Sequence, residues 1–106
     1  MEHLNKVELR GIVGTCRIQN VGGEKIANIS VATEQHYQDS EGYYMIEITW
    51  HNVRAIECET IQCLDRITKG SKIYILGRLL SRRYTDADGR ERSSIDIIAH
   101  GVKILD

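Results

Sequence analysis

Hydrophobic and polar positions alternate along most of the chain. Val7, Leu9, Gly11 and Val13 alternate with Glu8, Arg10 and Ile12, a period of two that suits a half-buried strand and fails as a helix stripe. Gly22 and Gly23 mark a turn. Residues 25–33 form a second strand, with Ala27, Ile29 and Val31 on one face, and the polar loop at residues 38–42 follows it. In a third strand Ile46, Ile48 and Trp50 alternate with Glu47, Thr49 and His51, so strands two and three read as a hairpin. After Val53 the spacing changes. Ile56, Thr60, Cys63, Leu64 and Ile67 predict one helix of about three turns, which Gly70 ends. Ile73, Ile75, Gly77 and Leu79 then alternate with Tyr74, Leu76 and Arg78 in a long fourth strand running to about Tyr84. A turn at residues 86–89 leads to a fifth, where Ile95, Ile97 and Ala99 alternate with Ser94, Asp96 and Ile98.

Three strands, one helix and two strands is the element order of an OB-fold, a five-stranded Greek-key barrel whose faces and loops bind oligonucleotides or oligosaccharides. The expected architecture is all-β, with one short helix between strands 3 and 4, as a single domain over residues 1–106. Proline is absent and no repeat or low-complexity tract interrupts the chain, which gives no linker at which to divide it. Its 42% hydrophobic content supplies one core. No apolar run approaches the ~20 residues needed to span a bilayer, and the first six residues lack the layout of a signal peptide. The expected location is cytoplasmic, with no membrane partner. Cys16, Cys58 and Cys63 are odd in number and lack CxxC spacing, so they are expected as buried or half-buried free thiols rather than disulfides or zinc ligands.

Net charge is −1 and announces no polyanionic partner, but its distribution is uneven. Between Arg66 and Arg92 eight basic residues face three acidic ones, whereas the first 65 residues carry five basic and ten acidic. A basic stripe on one hairpin is compatible with the neutral total. The aromatic residues are Tyr37, Tyr43, Tyr44, Trp50, Tyr74 and Tyr84, with no phenylalanine. Tyr and Trp offer a flat π face and a polar handle, which suits half-exposed surfaces on which bases stack. Tyr37 and Tyr43 flank the second loop, Trp50 lies on the third strand, and Tyr84 follows Arg82 and Arg83. Tyr74, inside an apolar strand, reads as structural.

Catalysis finds little support. The segment Asp86-Ala87-Asp88-Gly89 resembles the start of a calcium loop, but the position requiring a bidentate glutamate is Ile97 and the sharp-turn position is Glu91. A hairpin turn is expected there. His3, His36, His51 and His100 have no HExxH or comparable spacing, so no metal, cofactor or catalytic residue is assigned and the chain is not read as an enzyme. His51 reads as a structural or interface hydrogen-bonding group.

Several segments together resemble the bacterial single-stranded-DNA-binding proteins. They are Asn5-Lys6-Val7 followed by Gly11, residues 27–33, the Thr49-Trp50-His51-Asn52-Val53 strand, residues 69–74 with Gly77-Arg78-Leu79, and Tyr84-Thr85-Asp86 before Asp88-Gly89. Their order and approximate spacing hold from about Asn5 to Leu105. The resemblance implies four base-stacking positions, here Tyr37, Trp50, Tyr84 and Ile56, of which Ile56 departs from the aromatic pattern. Tyr also stands at 37 and 84 where the best-known members carry Trp, and the first loop, residues 15–20, is slightly short and lacks the usual acid-proline pair. The resemblance further implies a homotetramer, or a dimer, with the strand holding His51 near subunit contacts. The family's flexible tail, whose acidic tip recruits replication and repair proteins, is not matched; a trimmed chain and a short member that coats DNA without those partners are both expected readings.

The expected function is sequence-independent binding of single-stranded DNA in replication, recombination or repair. Bases would stack on Tyr37, Trp50 and Tyr84 beside Ile56, while Arg78, Arg82, Arg83 and Lys72 neutralise phosphates. Two rivals keep the fold: a primosome-type adaptor that contacts a helicase or primase, and an RNA- or tRNA-binding module.

Overall fold

In the computed structural model, which describes residues 1–105, the alternation that begins at Val7 continues to Val21 as strand β1 (Val7–Val21). Gly22 and Gly23 then reverse the chain into β2 (Glu24–Gln38), which pairs antiparallel with β1 from Ile12↔Ala32 to Val21↔Glu24. Residues 15–20, expected as a loop, are therefore the arm of a hairpin. β3 (Tyr44–Ile56), β4 (Lys72–Thr85) and β5 (Glu91–Ile104) complete a closed barrel in the order β1-β2-β3-β5-β4. β3 meets β5 in parallel at Val53↔Ile97 and Arg54↔Ile98, which closes a Greek-key OB-fold. Asn5 lengthens the β1–β4 ladder: its side-chain amide donates to the Leu79 carbonyl and accepts from the Leu79 N–H, each at 2.8 Å.

The residues read as core-facing are the core. Ala27, Ile29 and Val31 on β2, Val53 and Ala55 on β3, Ile73 and Ile75 on β4, and Ile97 on β5 are buried together with Val13. Removing each large aliphatic side chain from water contributes about 1.5–3 kcal/mol.

The segment after β3 corrects the helix expectation. Ile56 still belongs to β3 and pairs with Ile26. Cys58 and Ile61 then form an isolated bridge, and one 3-10 turn, Leu64–Arg66, is all that coils. The apolar spacing is real, since Ile61, Cys63, Leu64 and Ile67 are all buried, but those side chains plug the barrel's end. Lys25 pins the segment to β2, with Nζ 2.7 Å from Asp65 and 3.4 Å from Glu57. The bridge between Cys58 and Ile61 and the Lys25 ion pairs hold the segment in this non-helical path. Cys63 is buried and Cys16 half-buried as expected; Cys58 lies exposed at the bridge, against expectation.

Two long hairpins, β2–β3 and β4–β5, end in the same turn. Asp39 Oδ1 accepts from the N–H groups of Glu41 and Tyr43 at 2.9 Å, and Asp86 Oδ1 accepts from those of Asp88 and Arg90 at 3.0 Å. The fourth residue of each turn needs a positive φ, supplied by Gly42 (87°) and Gly89 (78°). The segment at 86–89 is thus a hairpin turn, as expected.

Candidate nucleic-acid interface

The pleat decides which side chains can act together, because directly paired residues share a face and neighbours in sequence do not. Along β3, Trp50, Asn52, Arg54 and Ile56 share the outward face, opposite Val53 and Ala55 in the core. Their β2 partners are Ala32, Ser30, Asn28 and Ile26. Trp50 is 60% exposed. Its indole lies over β1 at Gly14, within the irregularity between Val13 and Thr15. Ser30 fastens that irregularity, its Oγ accepting from the Thr15 N–H at 2.9 Å.

Beside Trp50 a groove of about 280 Å³ runs over the sheet, lined by Thr15, Arg17, Asn28, Ser30, Asn52, Arg54, Arg82 and Asp96 among others. The register carries Arg17 to Asn28, Asn28 to Arg54, Arg54 to Ile98 and Ile98 to Arg78. Three arginines from β1, β3 and β4 therefore stand in one cross-strand row on the outside of the barrel. Arg17 and Arg54 make no ion pair among the described residues. In the sequence each is a lone cation, Arg17 within what reads as the first loop; only the pairing unites them.

The expected residues divide between surfaces. Arg78, Arg82 and Tyr84 share a face of β4 with their β5 partners Ile98, Ser94 and Arg92, and Asp96, opposite Leu80, lies on that same face. Tyr84 is 53% exposed on the projecting β4–β5 hairpin. Arg82 is held by Asp96 at 2.8 Å. Arg92 is held by Asp86 at 2.9 Å, and this contact, followed by the N–H groups of Arg90 and Asp88, keeps the Asp86 carboxyl below the usual carboxylate range. Arg83 points the other way, with Ser81, Ser93 and Ile95. Tyr37 likewise faces away from Trp50, in the row of Val31, Thr33 and Met45. Lys72 lies three strands from Trp50 along the row Lys72, Ile12, Ala32, Trp50, roughly 14 Å at ordinary strand spacing. His51 packs inward, where its Nε2 and the Thr33 hydroxyl share a 2.9 Å hydrogen bond. The Tyr74 hydroxyl donates to Glu8 at 2.6 Å, and that bond pulls the Glu8 carboxyl down and pushes the Tyr74 hydroxyl up.

An OB-fold barrel with an exposed indole beside a polar groove lined by Arg17, Arg54 and Arg82 defines the class of protein. The chain belongs to the Single-strand binding protein family, whose model matches residues 4–105. It is 36% identical to the single-stranded DNA-binding protein of Neisseria meningitidis serogroup A, over 96% of this chain and 60% of that one. It is 37% identical to the protein of the same description from Rickettsia felis, over 90% of this chain and 65% of that one. The chain thus spans less than two thirds of the length of these relatives. Among solved structures, the Plasmodium falciparum SSB in complex with ssDNA superposes with a TM-score of 0.90 at 25% identity, covering all of this chain and 98% of that one. A deletion mutant of the single-stranded DNA binding protein from Thermus aquaticus superposes with a TM-score of 0.83 at 25% identity, over 97% of this chain and 51% of that one. No helix among the described residues is long and apolar enough to cross a membrane.

Proposed function

We propose that this protein binds single-stranded DNA without regard to sequence, in the cytoplasm, in support of replication, recombination or repair. Binding is an equilibrium in which no bond is made or broken. Trp50 and Tyr84 stack on bases, Ile56 adds apolar contact at the end of the Trp50 face, and Arg17, Arg54 and Arg78 displace counterions from the phosphates. Tyr37 and Arg83 meet the strand where it leaves that face for the hairpins' other sides, and Lys72 meets it farther along the outward row that runs from Trp50 through Ala32 and Ile12. The observation that carries the reading is the Trp50 indole, 60% exposed beside the arginine-lined groove. The relatives named for single-stranded DNA, and the neighbour solved with ssDNA, favour strand binding over the adaptor reading.

The active form we propose is a homo-oligomer, a tetramer before a dimer. Two features support assembly. From Val7 to Gly11 β1 pairs with β4 but has no β2 partner, because the β1–β2 register begins at Ile12, and an edge left so is a template for another strand. Leu79 and Ile95 expose large apolar surface on the β4–β5 hairpin as well. Sedimentation equilibrium reads the copy number.

Titration of Trp50 fluorescence with oligo-dT, and with duplex of equal length, tests the function at low and high salt. Strong quenching by the single strand, weakened by salt, is expected. Equal response to duplex, or no response to either, overturns the proposal.

A further inference from the structure

One acidic side chain sits within the arginine-lined groove. Asp96, on β5, has a side chain only 13% exposed, and its Oδ2 accepts a 2.8 Å bond from the guanidinium of Arg82, across from which stand Arg17 and Arg54. Its pairing register explains the placement: Asp96 is opposite Leu80 on β4, one pleat from Ile98 and Arg54, so the carboxylate emerges on the arginine side of the sheet. Arg82 therefore begins with a resident counter-ion, whereas Arg17 and Arg54 have none among the described residues. We propose that Asp96 is a built-in competitor for the strand's phosphates, which holds Arg82 in reserve and limits both the affinity and the salt sensitivity of the groove. The inference rests on the strand-binding reading above.

The exchange balances in charge. A phosphate that takes Arg82 from Asp96 leaves a carboxylate that must be neutralised by a cation from solution, so this contact gives no net release of ions. A phosphate that meets Arg54 or Arg17 does release its counter-ion, which lowers the slope of log K against log salt by about 0.7 per contact for a single strand.

Three variants, each checked by thermal melting and titrated with oligo-dT across a salt series, test the proposal. Asp96→Asn keeps the side chain's shape and removes its charge; it is expected to steepen the slope by about 0.7 and to tighten binding roughly two- to fivefold at low salt, the range of an ion pair with one partner open to solvent. Arg82→Ala is expected to weaken binding, since Asp96 then repels phosphate, while the slope stays in place. Arg54→Ala is expected to flatten the slope by about 0.7. An unchanged or weakened Asp96→Asn with an unaltered slope overturns the proposal, as does a slope flattened by Arg82→Ala, which remains decisive should the Asn variant fail to fold. If Arg54→Ala flattens the slope in either case, strand binding through the groove survives and only the competitor role is lost. A slope that none of the three changes removes the groove from the strand's path altogether.

Discussion

The indole of Trp50 occupies the space that a side chain at Gly14 would take: a Cβ built there falls 2.5 Å from Cζ3 and 2.9 Å from Cη2 of the ring. The missing side chain on β1 thus leaves the room into which Trp50 of β3 reaches across β2, with the residue still 60% exposed. Ser30, whose Oγ would be 3.0 Å from that Cβ, borders the same site.

Gly14→Ala is expected to lift the ring and leave the fold standing, because the obstacle is a half-exposed side chain that can move rather than backbone. Affinity for oligo-dT should fall by a fraction of the ~1–3 kcal/mol that a stacked base contributes, with a shift in Trp50 emission before any DNA is added. Unchanged emission together with unchanged affinity would separate the glycine from the ring's position.

The two faces of the β2–β3 hairpin predict a dependence on strand length. Trp50→Ala should cost ~1–3 kcal/mol with oligonucleotides of any length. Tyr37→Ala should leave a strand of about eight nucleotides, within the span of one barrel, nearly unaffected and weaken only longer strands that pass around the hairpin. Competition binding with a ladder of oligo-dT lengths checks both; an equal loss from Tyr37→Ala at every length contradicts the register.

Stability of the β4–β5 hairpin should depend on acid. Arg92, then the backbone N–H groups of Arg90 and Asp88, holds the Asp86 carboxyl below its ordinary value. A carboxyl depressed on folding contributes stability that is full above its unfolded pKa of about 4 and is lost as pH falls through its folded value. The melting-temperature gap between the wild type and Asp86→Asn is therefore expected to be widest near neutral pH and to close in acid. A gap that stays constant across the titration would show that charge on Asp86 plays no part.

The three thiols should react in sequence. Cys58 is exposed, and the hydroxyl of Thr60 followed by its backbone holds the thiol below the ordinary range. Cys63 is buried with its Sγ 3.6 Å from the Val102 carbonyl oxygen, and burial pushes the half-buried Cys16 thiol up. Native-state alkylation followed by mass spectrometry should modify Cys58 first, and Thr60→Val should slow that step near neutral pH, since the thiolate is the reacting species. Equal rates at all three cysteines would contradict this order.

Much of this is legible in the amino-acid sequence. A period of two depends only on which residues avoid water, so Val7 to Val13, Ala27 to Val31 and Ile73 to Ile75 declared their inward faces directly, and the turn glycines at 22, 23 and 89 declared their reversals. The order of elements then named the barrel. The segment from Ile56 to Ile67 misled because burial spacing alone does not separate a helix from an irregular plug; the pairing of Ile56 with Ile26, a contact across thirty positions of sequence, settled it. The candidate site divides along the same line. Tyr37, Trp50 and Tyr84 stood out by residue type, which is local, but their division between faces, the assembly of Arg17, Arg54 and Arg78 into one row, and the capture of Arg82 by Asp96 all follow from register. Register is a relation between strands distant in sequence, and a slip of one residue would turn each of these side chains to the opposite face.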